Sequence, residues 1–207
     1  MSVVANACDR ILACLQKLDA GAAKSLKPGL SIEVIEEKTK ELLFPLTQEV
    51  CDLYQWRDGN PWSNGFIFSG NYWMLSLKDS LDAYSLRGAF ADIRDLYYNC
   101  DDFDSKDDNY FWDRHWFPIF RSRDEHRFWI VKIGQESSPV LDVMPGVQCV
   151  ELYPSLSEML MAEAECFEKV IEIMNGRNCH PCDIDLHPDD LRLRDIRHKY
   201  GYKLDYF

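Results

Sequence analysis

The sequence predicts an α+β fold, because three kinds of segment follow one another along its 207 residues. Apolar residues at three- and four-residue spacing, typical of amphipathic helices, dominate the first part of the chain and return after residue 155. Between them lie runs rich in aromatic and β-branched residues, and all six tryptophans fall between Trp56 and Trp129. Helices, then strands, then helices is the order of an α+β protein and not of alternating βαβ units.

The helical spacing in the first part predicts three helices, over residues 3–18, 31–44 and 47–56. Ser31 and Thr47 are good N-caps for the second and third helices, and Pro45 ends the second. Residues 20–28 contain glycine and proline, so we predict a break between the first two helices there.

The middle of the chain predicts strands separated by turns, over residues 65–69, 72–75, 117–120, 128–133, 140–143 and 148–152. One helix interrupts them, from Ser76 to Tyr84, because Leu77 and Leu81 lie in register with Tyr84. Residues 86–99 either extend that helix or form another.

The last part begins with the clearest helix of the chain. Ser155 and Glu158 form a capping box, an apolar stripe follows, and Gly176 stops the helix. A short helix is predicted over residues 189–200. Aromatic residues near the C-terminus, such as Tyr202, indicate that this end docks on the body of the protein.

Charge and apolar content exclude several classes of function. The chain has 35 acidic and 23 basic residues and a formal net charge of -12, which argues against direct nucleic-acid binding. Its longest uncharged run, over residues 59–77, contains polar residues and turns, so we predict no membrane span. The first residues do not resemble a signal peptide, and eight cysteines without a leader indicate reduced thiols and a cytoplasmic location.

One cysteine pair leaves a metal site open as an alternative. Cys179 and Cys182 form a CxxC motif, and His187 and His198 follow it closely enough to complete a Cys-Cys-His-His zinc site. Structural zinc sites often contain a second CxxC, which this chain lacks, so a plain loop is the leading interpretation and no cofactor is predicted.

Negative charge is concentrated between Asp92 and Asp113, where eight aspartates stand against two basic residues. The candidate binding residues in the densest part are Asp101, Asp102, Asp104, Asp107 and Asp108. An EF-hand register fails there, because Lys106 falls at a ligand position. The stretch is therefore interpreted as a solvated acidic loop, and any partner it binds is expected to be basic.

An aromatic run follows the acidic stretch directly, over residues 110–120. Its leading interpretation is a strand that enters the core, because aromatic side chains bury large apolar areas. If Trp112 or Trp116 is exposed beside the acidic loop, these two residues form a protein-binding hot spot instead.

No local motif predicts catalysis. The sequence lacks a nucleophile elbow, a phosphate-binding glycine loop, an HExxH motif and a dinucleotide fingerprint. His115 has Asp113 two residues before it, but such a pair does not make a catalytic triad. We therefore expect a protein that is not an enzyme.

Three segments in this order and spacing resemble the SUKH superfamily. They are residues 53–60 (LYQWRDGN), residues 116–120 (WFPIF), and the pair 128–131 (FWIV) and 139–142 (PVLD). That superfamily contains fungal cell-wall assembly regulators of the Smi and Knr type and many bacterial immunity proteins. The resemblance covers about residues 28–174. It divides the chain into an N-terminal helix and linker (1–27), a SUKH-like domain (28–176) and a C-terminal extension docked on it (177–207).

The resemblance implies a central, largely antiparallel sheet flanked by helices. Trp56 is then expected to close the core at the end of the third helix, and Gly59 to adopt a positive φ after it. Pro118 and Phe120 line an early strand, with the proline at an edge or a strand start, and Trp129 lies in the closing pair of strands. All five are expected to determine the fold and to take no part in catalysis.

The function that the resemblance implies is protein binding. Bacterial relatives neutralise toxins, often nucleases, and an acidic inhibitor suits a basic toxin surface. A regulatory or scaffold role of the cell-wall-regulator type is the alternative within the family. The N- and C-terminal extensions are not explained by the immunity role, so a second partner or a homo-oligomer interface stays open.

Overall fold

The computed structural model of the protein describes residues 2–18, 20–60, 72–86, 112–122, 127–144, 148–177 and 191–203. Within these residues it contains seven helices and a five-stranded antiparallel sheet, which confirms the predicted α+β fold. No helix in the described ranges is long and apolar enough to cross a bilayer. The strand predicted over residues 65–69 lies outside the described residues.

The helices are α1 (Val3–Leu18), α2 (Ala20–Ser25), α3 (Ile32–Thr39), α4 (Gln48–Trp56), α5 (77–86), α6 (Leu156–Arg177) and α7 (Leu191–Lys199). The Ser31 and Thr47 hydroxyls accept hydrogen bonds from backbone amides of α3 and α4, as predicted for N-caps. Two expectations were wrong. The predicted break after α1 contains the short helix α2, and α3 ends at Thr39, well before Pro45.

The strands are β1 (Tyr72–Met74), β2 (Trp116–Ser122), β3 (Phe128–Lys132), β4 (Val140–Met144) and β5 (Gln148–Tyr153). They pair in chain order, so the described sheet is an antiparallel meander. Successive side chains of a strand point to opposite faces. In β3, Trp129 and Val131 join the main core, while Phe128 and Ile130 belong to a second apolar cluster on the other face.

The main core lies between one face of the sheet and helices α1, α4 and α6. Helix α1 contributes six buried side chains, and its Arg10 forms two hydrogen bonds of 2.8 Å with Glu168 of α6. Trp129 is 2% exposed, stacks on Tyr72 at 4.3 Å and meets Phe120 edge-on. The N-terminal helix is therefore packed within the same core as the sheet.

The turn after α4 joins it to β1 and α5. Gly59 has a φ of 73°, in the region predicted for it, and Asn60 donates its amide to the Met74 carbonyl at 3.2 Å. The Asp58 carboxylate accepts the first amide of α5, from Leu77, at 2.7 Å. Trp56 is 8% exposed within the main core. These contacts hold the end of α4 against the strand-to-helix junction.

Pro118 occupies a different position from the one expected. It is the third residue of β2, an interior strand, and not at a strand start or on an edge strand. Strand β1 pairs only with residues 120–122, and the β2–β3 register shifts between Pro118 and Phe120. A proline is tolerated there because a bulge, like an edge, leaves a backbone position without a ladder hydrogen bond.

Residues 191–203 pack against α6 and β5. The Lys203 amide donates to the Leu152 carbonyl at 3.1 Å, and Tyr202 is buried in the main core. Between α6 and α7, Glu163 and Arg197 form an ion pair of 3.3 Å whose side chains are each 1% exposed. Burial lowers the pKa of Arg197, but the charge and hydrogen bond of Glu163, together with Cys166 and Tyr153, outweigh burial, so the pKa is raised.

The Glu49 carboxylate connects three elements. Its two oxygens accept the backbone amides of Ser138, in the β3–β4 connection, and of Ser157, in the first turn of α6, at 3.2 and 3.1 Å. A carboxylate is favoured at a helix N-terminus by both the free amides and the helix dipole. Glu49 therefore fixes α4 relative to the start of α6.

Replacing Glu49 by glutamine is expected to lower the free energy of unfolding by about 1–2 kcal/mol, because one charged acceptor is lost at a buried junction. The measurement is denaturant unfolding followed by tryptophan fluorescence. Glu172→Gln on the exposed side of α6 is the matched control, with an expected change within about 0.5 kcal/mol. Equal stabilities of the two variants would contradict this role for Glu49.

Candidate functional site

The second apolar cluster, called here the tryptophan cluster, lies on the face of the sheet opposite the main core. Its buried members are Trp73, Leu75, Trp112, Trp116, Phe128, Ile130, Leu141 and Val143. Most sheets with one packed face expose polar residues on the other, so a second apolar face is informative. The candidate binding residues Trp112 and Trp116 belong to this second apolar layer and not to the main core.

Trp112 and Trp116 are buried, with exposed fractions of 7% and 9%. Their rings meet edge-on with centroids 5.7 Å apart, and Trp112 meets Phe128 in the same way at 6.1 Å. Neither indole nitrogen has a hydrogen-bond partner in the ranges that the structure describes. Both residues are therefore buried on the second face of the sheet, Trp116 at the start of β2 and Trp112 before that strand, and neither is an exposed anchor.

The acidic candidates Asp101, Asp102, Asp104, Asp107 and Asp108 lie outside the described residues. Only the last aspartate of the acidic stretch, Asp113, is described. Its carboxylate accepts the His115 amide at 2.8 Å and lies 2.9 Å from Nδ1 of the same histidine, whose ring stacks on Phe44. Within the described ranges no nucleophilic side chain is hydrogen-bonded to His115, so the pair does not extend to a triad.

The described cysteines do not provide a nucleophile either. Cys8, Cys14, Cys51 and Cys149 have free thiols. Burial raises the pKa of Cys149 to about 11 and raises the pKa of Cys8 further. A thiol is nucleophilic only as its thiolate, so these groups are unreactive at neutral pH.

The zinc alternative is described only in part, since Cys179, Cys182 and His187 lie outside the described residues. His198 lies on α7, where its Nε2 accepts a hydrogen bond of 3.3 Å from Arg194 and its ring meets Tyr202. Among the residues that are described, no three histidine, cysteine, aspartate or glutamate side chains are grouped closely enough to hold a metal ion.

An open cleft of about 280 Å³ lies beside the tryptophan cluster, between α5 and the sheet. It is lined by Leu75, Asp79, Asp82, Ala83, Leu86, Arg121 and Phe128. Leu75 and Phe128 are members of the cluster and form an apolar floor. Leu86 is 62% exposed, which makes it one of the few large apolar side chains open to solvent among the described residues.

Helix α5 presents two carboxylates to this cleft. The Ser76 hydroxyl donates to the Asp79 carboxylate at 2.6 Å and accepts the Asp79 amide, which caps the helix. Lys78 pairs with Asp82 at 2.6 Å on the exposed helix surface, and this hydrogen bond and charge raise the pKa of Lys78. The guanidinium of Arg121 lies over the Phe128 ring, 5.5 Å from its centroid.

The inward stripe of α5, which contains Leu77, Leu81 and Tyr84, does not predict this cleft. The signal for it is a second stripe at positions 79, 82, 83 and 86, whose spacing of three, four and seven residues places them on one helix face. Arg121 and Phe128 give no such signal, because their approach to α5 depends on the sheet.

A scan against models of protein families matches none of them, and a search of the curated proteins finds no match for this chain.

Proposed function

We propose that this chain is a non-enzymatic protein-binding module of the SUKH type, and that it acts as an immunity protein that neutralises a basic toxin by direct binding. The observation that carries the proposal is the cleft beside α5, where an apolar floor meets two exposed carboxylates. Protein interfaces commonly combine an apolar pocket that receives an anchor side chain with a polar rim.

The position of the family-like segments supports this assignment. Residues 53–60 join α4 to the strand-to-helix junction, residues 116–120 lie in β2, and residues 128–131 and 139–142 lie in the β3–β4 hairpin and its connection. The segments 116–120 and 128–131 lie in the adjacent strands β2 and β3, beside which the cleft is formed. The segments that resemble the SUKH superfamily therefore include part of the sheet that supports the candidate site.

Charge supports a basic partner. The formal net charge is -12, and half of that excess lies between Asp92 and Asp113, on the sequence that follows α5. Opposite charge on two proteins raises their association rate and is screened by salt. Binding is accordingly expected to weaken as ionic strength rises, mainly through slower association.

The function is tested with the product of the neighbouring gene, which the immunity role predicts to be a basic toxin. Co-expression of the chain is expected to protect cells from that protein, and the purified pair is expected to form a complex with a measurable Kd. If no neighbouring product is toxic or binds the chain, the immunity role is wrong. If one binds and is not toxic, the regulatory alternative replaces it.

The double change Asp79→Asn with Asp82→Asn, combined with Leu86→Ser, is expected to raise the Kd of this complex by about tenfold or more, because it removes two charges and the exposed apolar contact. Titration calorimetry measures the change. The control combines Glu172→Gln with Val3→Ser, which alters an exposed carboxylate and an exposed apolar residue that do not line the cleft. An equal Kd for cleft variant and control would remove the cleft from the proposal.

A further inference from the structure

The two carboxylates of the cleft are arranged to hold one cation with several donors. Asp79 and Asp82 are three residues apart on α5, so they lie on one helix face about one turn apart. Each uses its Oδ2 locally, towards Ser76 and Lys78 respectively. In the described part of the chain neither Oδ1 makes a hydrogen bond, which leaves one acceptor on each carboxylate for a ligand.

The rest of the cleft suits the stem of a long side chain. Leu75 and Phe128, 5% and 3% exposed, form the floor, and the exposed Leu86 forms one wall. A volume of about 280 Å³ is below the usual range for drug-sized ligands and suits a single large side chain. Arginine and lysine both bury aliphatic stems on apolar surfaces of this kind.

Three charged side chains line the cleft, and their positions locate the cation. Arg121 lies over the Phe128 ring on the sheet side, and the two carboxylates lie on the α5 side, so a cation is expected to contact the aspartates of α5. Lys78 pairs with Asp82 from the exposed helix surface and is not part of the lining. Two aspartates and one arginine leave the lining with a net charge of -1.

Resting on the proposed function, we propose that the partner inserts an arginine side chain into this cleft, with its guanidinium bridging Asp79 and Asp82 and its stem on Leu75 and Leu86. Arginine is favoured over lysine because its planar group presents five donors in a fixed fork, which can serve two carboxylates at once. A second copy of this chain is disfavoured as the occupant, because two bodies of charge -12 repel each other.

A random peptide library displayed on phage tests the inference without knowledge of the partner. Selection on the wild-type protein is expected to enrich arginine at one position, beside an apolar residue. Peptides from that selection are expected to bind Asp79→Asn/Asp82→Asn about tenfold more weakly and Glu172→Gln unchanged. Replacing the enriched arginine by lysine is expected to weaken binding clearly. A purely electrostatic contact would bind the two residues about equally, because both carry one positive charge.

Two outcomes overturn the inference. One is a selection that enriches no cation, or enriches lysine as often as arginine. The other is an enriched arginine peptide that binds the double variant as well as it binds the wild type. Either result leaves the proposed function standing as long as the natural partner still loses affinity on Leu86→Ser alone. The proposed function itself is contradicted by a different result, which is a neighbouring gene product that does not bind this chain and does not harm cells.

Discussion

Replacing Gly59 by alanine is expected to lower the free energy of unfolding by about 3–5 kcal/mol, the range of the most damaging single changes. Two causes act together. The φ of 73° is a left-handed conformation that costs a residue with a Cβ about 1–2 kcal/mol. An added Cβ also falls 2.5 Å from the Ser76 nitrogen and 2.7 Å from the Leu75 carbonyl carbon, both of which are backbone atoms and cannot rotate away.

Gly201→Ala separates these two causes. Gly201 has a similar φ of 81°, but its nearest neighbours are side-chain atoms of Pro154 at 3.1 and 3.2 Å. The Gly201→Ala change is expected to lower the free energy of unfolding by only about 1–2 kcal/mol, which is the cost of the left-handed conformation alone. Guanidinium unfolding followed by tryptophan fluorescence compares the variants. If the two variants lose the same free energy of unfolding, the close contact between position 59 and the Leu75–Ser76 backbone makes no separate contribution to the loss.

The features that the sequence predicts well are those whose causes lie within a few residues. Ser31 and Thr47 cap their helices because a hydroxyl accepts an amide three positions ahead. The N-cap half of the predicted capping box is confirmed for the same reason, since the Ser155 hydroxyl accepts the Glu158 amide at 3.1 Å. The Glu158 carboxylate accepts the Ser155 hydroxyl at 3.2 Å, where a full capping box has it accept the Ser155 backbone amide. The antiparallel order of β2 to β5 follows from strands that are close in sequence and pair with their neighbours.

The features that the sequence did not predict depend on distant residues. Gly29, in the connection between α2 and α3, is required because a Cβ there falls 1.8 Å from the Gln55 carbonyl oxygen of α4, and no local pattern reveals that contact. Pro118 sits at a bulge whose position depends on the lengths of β1 and β3. The cleft joins α5 to Arg121 and Phe128, which are close only once the sheet has formed.

The candidate site shows the same division. Aromatic content and local charge are properties of composition, so the sequence alone singles out the acidic stretch and the candidates Trp112 and Trp116. The sequence does not distinguish a buried tryptophan from an exposed one, since Trp112 and Trp116 are buried by residues that are remote in the sequence. The large apolar side chain that is exposed beside this cluster is Leu86, and its exposure depends on how α5 packs against the sheet.

Replacing Arg197 by methionine is expected to lower the free energy of unfolding by about 3–5 kcal/mol, because the change removes the cation that pairs with the buried Glu163 carboxylate. Both side chains are 1% exposed, so water cannot replace the lost partner without opening the α6–α7 contact. Methionine keeps the length of the side chain, which limits the contribution of a cavity. Chemical unfolding measures the loss.

A second ion pair between the same two helices provides the matched control. Lys199 and Glu165 lie 2.7 Å apart, but their side chains are 59% and 31% exposed. Lys199→Met is expected to have a much smaller effect, since solvent screens the pair and hydrates the remaining carboxylate. Equal losses in the two variants would contradict the view that burial makes the Glu163–Arg197 pair important.

The double variant Glu163→Leu with Arg197→Met distinguishes a net attraction from a penalty for isolated charge. Removing both charges leaves no buried carboxylate, so the double variant is expected to be more stable than Arg197→Met alone. Hydrogen exchange locates the effect: in Arg197→Met, amides of α7 are expected to lose protection before those of the sheet, because α7 is held mainly through α6. If the double variant is the least stable of all, the pair stabilises the α6–α7 contact in its own right, and its charges are then an essential part of how residues 191–203 dock.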